Sequence, residues 1–134
     1  MQKAALHHIA IMSKNLEKSA RFYCDILGFE QMERPPFDVG GLWLASGGGQ
    51  VHVVQYDGGS FRDTASVDTN DIHFALRVEN FAAALDTLIA HGYSEDAADG
   101  DPMRLVVKRK SIAGFPQLYM LDPDFNIVEI NAVA

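Results

Sequence analysis

The sequence predicts an α+β fold built from two βαβββ units, and three observations carry that prediction. A short pattern occurs twice: His8-Ile9-Ala10-Ile11 followed by Asn15-Leu16, and, 65 residues on, His73-Phe74-Ala75-Leu76 followed by Asn80-Phe81. Fixed-offset similarity of this kind dictates architecture, because a duplicated unit folds the same way twice. Each copy then runs from an alternating strand through a helix-capping asparagine to a helix that stops at glycine. Each is followed by three more strand-like runs.

The elements follow in order. LHHIAI (6–11), an apolar run entered by two histidines, reads as a strand whose successive side chains take alternate faces, and 72–78 reads the same way. Asn15 and Asn80 stand at N-cap positions, where a side-chain oxygen satisfies a free helix N–H. Leu16, Ala20, Tyr23 and Leu27 recur at helical spacing in the first copy, as do Phe81, Leu85, Leu88 and Ile89 in the second. Gly28 and Gly92 suit the left-handed position that ends many helices, and each is followed by an aromatic residue, Phe29 or Tyr93. Strands are expected over 29–34, 41–45 and 50–56, then over 104–110, 115–121 and 127–132. The units therefore span about 5–57 and 71–132, joined by a polar, Gly-rich connector over 57–71, with a further loop over 95–103.

Length and composition bound the function. The chain has 134 residues, about one ordinary domain, with 48% hydrophobic and 22% charged residues, the balance of a soluble globular protein. A net charge of −7 disfavours a nucleic-acid partner, whose phosphates are met by clustered Lys and Arg; the one basic run, 108–110, reads as a solvated strand end. No apolar run nears the roughly 18 residues a membrane helix needs. With one cysteine, Cys24, no internal disulfide forms, and no secretory leader is visible, so the expected location is cytoplasmic.

Successive side chains on a strand leave opposite faces, so His7 and His8 cannot both look the same way. If Ile9 and Ile11 pack on the first helix, His8, Ala10 and Met12 take the other face, and the same argument sets His73, Ala75 and Arg77 opposite Phe74, Leu76 and Val78. Val128 and Ile130 are the packing set of the last strand, which turns Ile127, Glu129 and Asn131 to the histidine side. His52, between Val51 and Val53, shares its face with Val54 and Tyr56. Three imidazoles and a carboxylate suit one divalent ion, Zn, Ni, Fe or Mn, and His8, His73 and Glu129 alone have the composition of a facial triad. A glutamate buried in an apolar strand needs a cation, a hydrogen-bond network or solvent. His7 reads as a structural or exposed neighbour, His91 as a favourable helix C-terminal residue, Cys24 as a small hydrophobe and Trp43 as core or interface.

Four stretches together, HHIAI (7–11), FYCDILGF (22–29), IHFAL (72–76) and LYMLDPDFNIVEI (118–130), resemble landmarks of the vicinal oxygen chelate superfamily. That group contains glyoxalase I, methylmalonyl-CoA epimerase, extradiol dioxygenases, fosfomycin-resistance enzymes and bleomycin-resistance binding proteins. The resemblance covers nearly the whole chain and implies a single domain over 1–134 whose two modules curl into half-barrels around a metal, commonly in a homodimer. It implies that His8, His73 and Glu129 are metal ligands, with His52 at a strand position where some members supply a fourth. Several features depart from the pattern. His52 stands where glyoxalase I has glutamate, the usual DPDG turn reads DPDF at 122–125, and the histidine that extradiol dioxygenases place upstream of the Tyr119 position has no counterpart between Lys108 and Gln117.

The leading expectation is a metal-dependent lyase or isomerase of glyoxalase type, acting on a small molecule with vicinal oxygens, in which Glu129 takes a proton α to a carbonyl. Arg77 and Tyr119 are the expected substrate-orienting residues. The alternatives are an extradiol-type iron oxygenase using His8, His73 and Glu129, and a small-molecule or antibiotic-binding protein without catalysis.

Overall fold

The computed structural model describes residues 2–134 and divides into a first unit ending at Phe61 and a second over Arg62–Ala134. The first contains β1 (His8–Ser13), α1 (Leu16–Ala20) continuing as a π-helical segment (Arg21–Ile26), β2 (Glu30–Met32), β3 (Gly41–Ser46) and β4 (Gly49–Gln55). The second contains β5 (His73–Val78), α2 (Phe81–Ala90), β6 (Val106–Lys108), β7 (Gln117–Leu121) and β8 (Ile127–Ala132). Each unit forms one four-stranded sheet, in the orders β1-β4-β3-β2 and β5-β8-β7-β6. These two sheets and few helices are the α+β arrangement of paired βαβββ modules. Among the described residues no helix is long and apolar enough to cross a membrane.

The sheets are mixed in the same way. The first and last strands of each unit pair parallel, β1 with β4 and β5 with β8, and the remaining neighbours pair antiparallel. A parallel pair needs a crossover long enough to bring the chain back, and in each unit the helix and two intervening strands supply it.

The helices begin where the asparagines predict. Asn15 Oδ1 accepts from the Lys18 N–H at 3.0 Å and Asn80 Oδ1 from the Ala83 N–H at 2.9 Å. They end at glycines with φ 77° (Gly28) and 94° (Gly92), a conformation that costs glycine no steric penalty. The next residue then reaches back, Phe29 N–H to Tyr23 O at 2.9 Å and Tyr93 N–H to Leu88 O at 3.1 Å. The first of these spans one residue more than the second, in keeping with the π-helical widening before it. Phe22, Tyr23, Phe29, Leu44, Val51 and Val53 are buried in the first unit; Phe81, Leu85, Leu88, Tyr93, Leu118, Met120, Val128 and Ile130 are buried in the second. Each such side chain contributes about 1.5–3 kcal/mol from removal of apolar surface from water. Several strands are shorter than the sequence pattern alone suggests: β2 covers three residues and β6 three, since alternation continues past the point where a neighbour ends pairing.

The DPDF turn keeps the left-handed geometry despite its aromatic residue. Phe125 has φ 66°, alone among the described non-glycine residues, a conformation costing about 1–2 kcal/mol. Its ring packs against the buried cluster of Tyr119, Leu121 and Ile127, and Asp122 Oδ1 receives the backbone N–H groups of Asp124 and Asn126, which offsets that cost.

Two measurements check this description. Asn80→Ala removes a cap and is expected to lower stability by about 1 kcal/mol in urea denaturation, with an unchanged slope. Burial, and after it the Asp122 carboxylate, push the Tyr93 phenol up to about 12. An unfolded tyrosine ionises near pH ~10, so between about 10 and 12 the native state binds the proton more tightly. The resulting stability is present below about pH 10 and is lost as pH rises toward 12, and Tyr93→Phe is expected to flatten that alkaline decline.

Candidate metal and substrate site

Strand register assembles the site within each unit. In the first, Ala10 pairs with His52 and Trp43 pairs with His52 from the other side. In the second, Ala75 pairs with Glu129 and Tyr119 pairs with Glu129. His8 and His73 stand two residues before Ala10 and Ala75, on the same face of their strands. His8, His52 and Trp43 in one unit therefore correspond to His73, Glu129 and Tyr119 in the other.

In the first unit these three rings form a stack. His8 and His52 lie 3.9 Å apart and 15° from parallel, and Trp43 and His52 lie 4.4 Å apart and 9° from parallel. His52 is 8% exposed, and its Nε2 meets Gln50 Oε1 at 2.8 Å. Burial first, then the charges of His8, His7 and Arg34, hold the His52 imidazole below its usual range, so it is neutral at neutral pH. Exposed His7 is more than a bystander: its Nδ1 lies 2.9 Å from His8 Nδ1, one nitrogen carrying the proton the other accepts, and so it orients the ring. Trp43, half-buried, lines a cavity of about 440 Å³ with His8, Ala10, Arg34, Phe37 and His52, among others.

In the second unit the centre is a clamped carboxylate. Glu129 is 6% exposed, and Gln117 Nε2 donates to its Oε1 at 2.6 Å while Asn131 Nδ2 donates to its Oε2 at 2.8 Å. Ser111 Oγ in turn donates to Gln117 Oε1, and Arg77 Nε donates to Asn131 Oδ1 at 2.8 Å. Arg77 also lies over the Phe115 ring, 4.5 Å from its centroid. It thus acts on Glu129 through Asn131. Tyr119, 5% exposed, meets His73 edge-to-face with centroids 5.4 Å apart. Burial, then the hydrogen bond and charge of Glu129, push its phenol up to about 12, so it stays protonated. The Asp71 carbonyl accepts from His73 Nδ1 at 2.8 Å, which leaves the Nε2 lone pair free.

These groups bear on a divalent ion as follows. An imidazole whose Nδ1 is held by a carbonyl is the usual state of a histidine ligand, and a carboxylate oxygen that accepts one hydrogen bond retains a lone pair. His73 and Glu129 fit such an ion on both counts. A ligand nitrogen holds its metal near the plane of its own ring, and two nearly parallel rings 3.9 Å apart share no such point. As placed, the stack lets His8 or His52 coordinate, not both. Among the described residues no group of three or more His, Cys, Asp or Glu is gathered to hold a metal ion. The structure stacks His8 on His52, and sets His73 and Glu129 on one face of adjoining strands, two residues out of register, with Tyr119 against the His73 ring.

The comparisons agree with this architecture. A family model described as Glyoxalase/Bleomycin resistance protein/Dioxygenase superfamily matches residues 5–130, and the chain belongs to that superfamily. It is 24% identical over 128 residues to "Glyoxylase I 4" of Arabidopsis thaliana, which covers 94% of this chain and 69% of the relative. A glyoxalase family protein from Bacillus anthracis superposes with TM-score 0.77 at 17% identity, covering 98% of this chain and 97% of the other. A lactoylglutathione lyase from Agrobacterium tumefaciens superposes with TM-score 0.65 at 16% identity, covering 98% and 96%.

Sequence pattern had no signal for Gln117 or Arg34, since their importance lies in cross-strand neighbours. The clamp makes a checkable statement about Gln117. Replacing it with methionine, of similar volume, leaves a buried carboxylate short of a donor and is expected to cost about 1.5–3 kcal/mol. In a double-mutant cycle most of that cost should vanish on a Glu129→Gln background, because the charge that made the bond strong is gone.

Proposed function

We propose that the protein is a metal-dependent isomerase or lyase of glyoxalase type, acting on a small molecule with neighbouring oxygens. The observation that carries the reading is on β5 and β8: a histidine with its Nε2 left free on the same strand face as a buried carboxylate that two neutral amides and a tyrosine hydroxyl hold, with no basic side chain. A buried carboxylate so held, with no basic side chain against it, is suited to take a cation as well. His8, His73 and Glu129 are the ligands of the reading, with His52 the stacking neighbour that steadies His8; as a fourth ligand its ring would have to leave the stack.

A bound divalent ion supplies Lewis acidity toward two adjacent substrate oxygens. Glu129 takes the proton α to the carbonyl and returns it to the neighbouring carbon, while Gln117 and Asn131 keep its two oxygens fixed in direction. Tyr119, neutral and buried beside it, donates its hydroxyl hydrogen bond to Glu129 and so helps hold the carboxylate in place. Arg77 aligns Asn131 and lends positive charge at the same end of the strand. The similarity to proteins named glyoxalase I and lactoylglutathione lyase makes a glutathione thioester the first product to look for. We place the working form as a homodimer, on the support that β1 and β5 are open edge strands with Leu6 and Ile72 exposed beside them.

Metal titration of chelator-treated protein tests the reading. Ni(II) or Zn(II) should bind one per site, His8→Ala and Glu129→Ala should each weaken binding by about 100-fold or more, and His52→Ala by less than about tenfold. Wild-type protein loaded with Ni(II) should form S-lactoylglutathione from methylglyoxal and glutathione. Unchanged metal uptake in both His8→Ala and Glu129→Ala would overturn the ligand assignment, and oxygen uptake with catechol would transfer the site to the dioxygenase branch.

A further inference from the structure

We propose that the cavity of the first unit is a binding site for a small monocarboxylate with a flat apolar body, its carboxylate taken by Arg34. This deepens the isomerase reading by naming the anionic end of the substrate, and it rests on that reading for its catalytic meaning but not for its binding step.

Arg34 is held in place from several sides. Its Nη2 donates to Val39 O at 2.7 Å, its guanidinium carbon lies 4.9 Å from the Phe37 centroid, and Gly41 lies directly beneath it. A Cβ on Gly41 would stand 2.9 Å from Arg34 Nη2 and 3.0 Å from its guanidinium carbon, so the bare backbone there makes the seat. Its buried Nε–H has no acceptor, and none of the ion pairs among the described residues uses Arg34. With Nε–H shut off from solvent and Nη2 donating to Val39 O, the remaining N–H groups of this fixed guanidinium, which lines a cavity of about 440 Å³ and has no carboxylate partner among the described residues, are the donors left for an oxyanion.

The rest of the lining selects the body of that anion. His52 has both faces covered, by His8 on one side and Trp43 on the other, so it offers the cavity its ring edge, and the three stacked rings make a flat aromatic part of the lining. Val39, Val53, Val54 and Ala10 make the remaining wall apolar. Asp38 lines the same space and penalises a second negative group, which confines the class to monoanions.

Trp43 is the only tryptophan in the chain, so its emission reports on this cavity alone. Chelator-treated protein is titrated with benzoate, with neutral benzamide and with dianionic isophthalate. Benzoate is expected to change the emission saturably, with benzamide and isophthalate at least about tenfold weaker. Arg34→Met should weaken benzoate by at least about tenfold while circular dichroism and the melting midpoint hold; Arg34→Lys, which keeps the charge without the fork, should weaken it less. Should the methionine variant fail to fold, the lysine variant and the salt dependence of wild-type binding decide. No saturable change in wild-type protein, equal response to benzoate and benzamide, or wild-type affinity in a folded Arg34 variant would overturn the proposal. Nickel binding without benzoate binding overturns this pocket alone, and benzoate binding without nickel binding overturns the isomerase reading alone.

Discussion

Parallel pairing of the first and fourth strands of each βαβββ unit is the constraint on which the rest depends. It sets His8 and His52, and likewise His73 and Glu129, two residues out of direct register on one face of adjoining strands. A slip of one residue would send one member of each pair to the helix side, because the side-chain period is two. The asparagine caps and glycine stops serve the same end, since they fix where each helix starts and releases the chain, and so the register at which the fourth strand returns.

Duplication gives the two units one frame, and divergence has filled it with different chemistry. The central position on the fourth strand is His52 in one unit and Glu129 in the other, and the aromatic beside it is Trp43 or Tyr119. An imidazole between an indole and a second imidazole is stabilised by stacking and stays neutral. A carboxylate in the matching place cannot stack; it is held by hydrogen bonds from Gln117 and Asn131. Burial penalises charge in both positions, and each solution is the one its side chain allows.

Period-two alternation singled out His8, His52, His73 and Glu129 as facing residues, and the exposure pattern of β5, alternately exposed and half-buried, follows it residue by residue. Arg77 was legible for the same reason, and Tyr119 by the family resemblance. The roles of Gln117, Arg34 and His7 were not. Each acts through a partner that composition and spacing cannot reveal: a carboxylate across the sheet, a carbonyl and an aromatic ring in a loop, the ring nitrogen of a neighbouring imidazole. Phe125 makes the same point from the other direction, since its sequence identity argues against a left-handed turn and the cluster of Tyr119, Leu121 and Ile127 supplies the packing that keeps it there.

By itself, then, the chain determines the repeat, the ends of its helices and the face from which each strand residue projects, because these follow from local backbone geometry and periodicity. Tertiary structure alone decides which projecting groups meet: the Trp43–His52–His8 stack, the two amides on Glu129 and the seat of Arg34 over Gly41. Those contacts join residues brought together by strand register and loop closure, quantities set by the packing of the whole unit and by no short stretch of it.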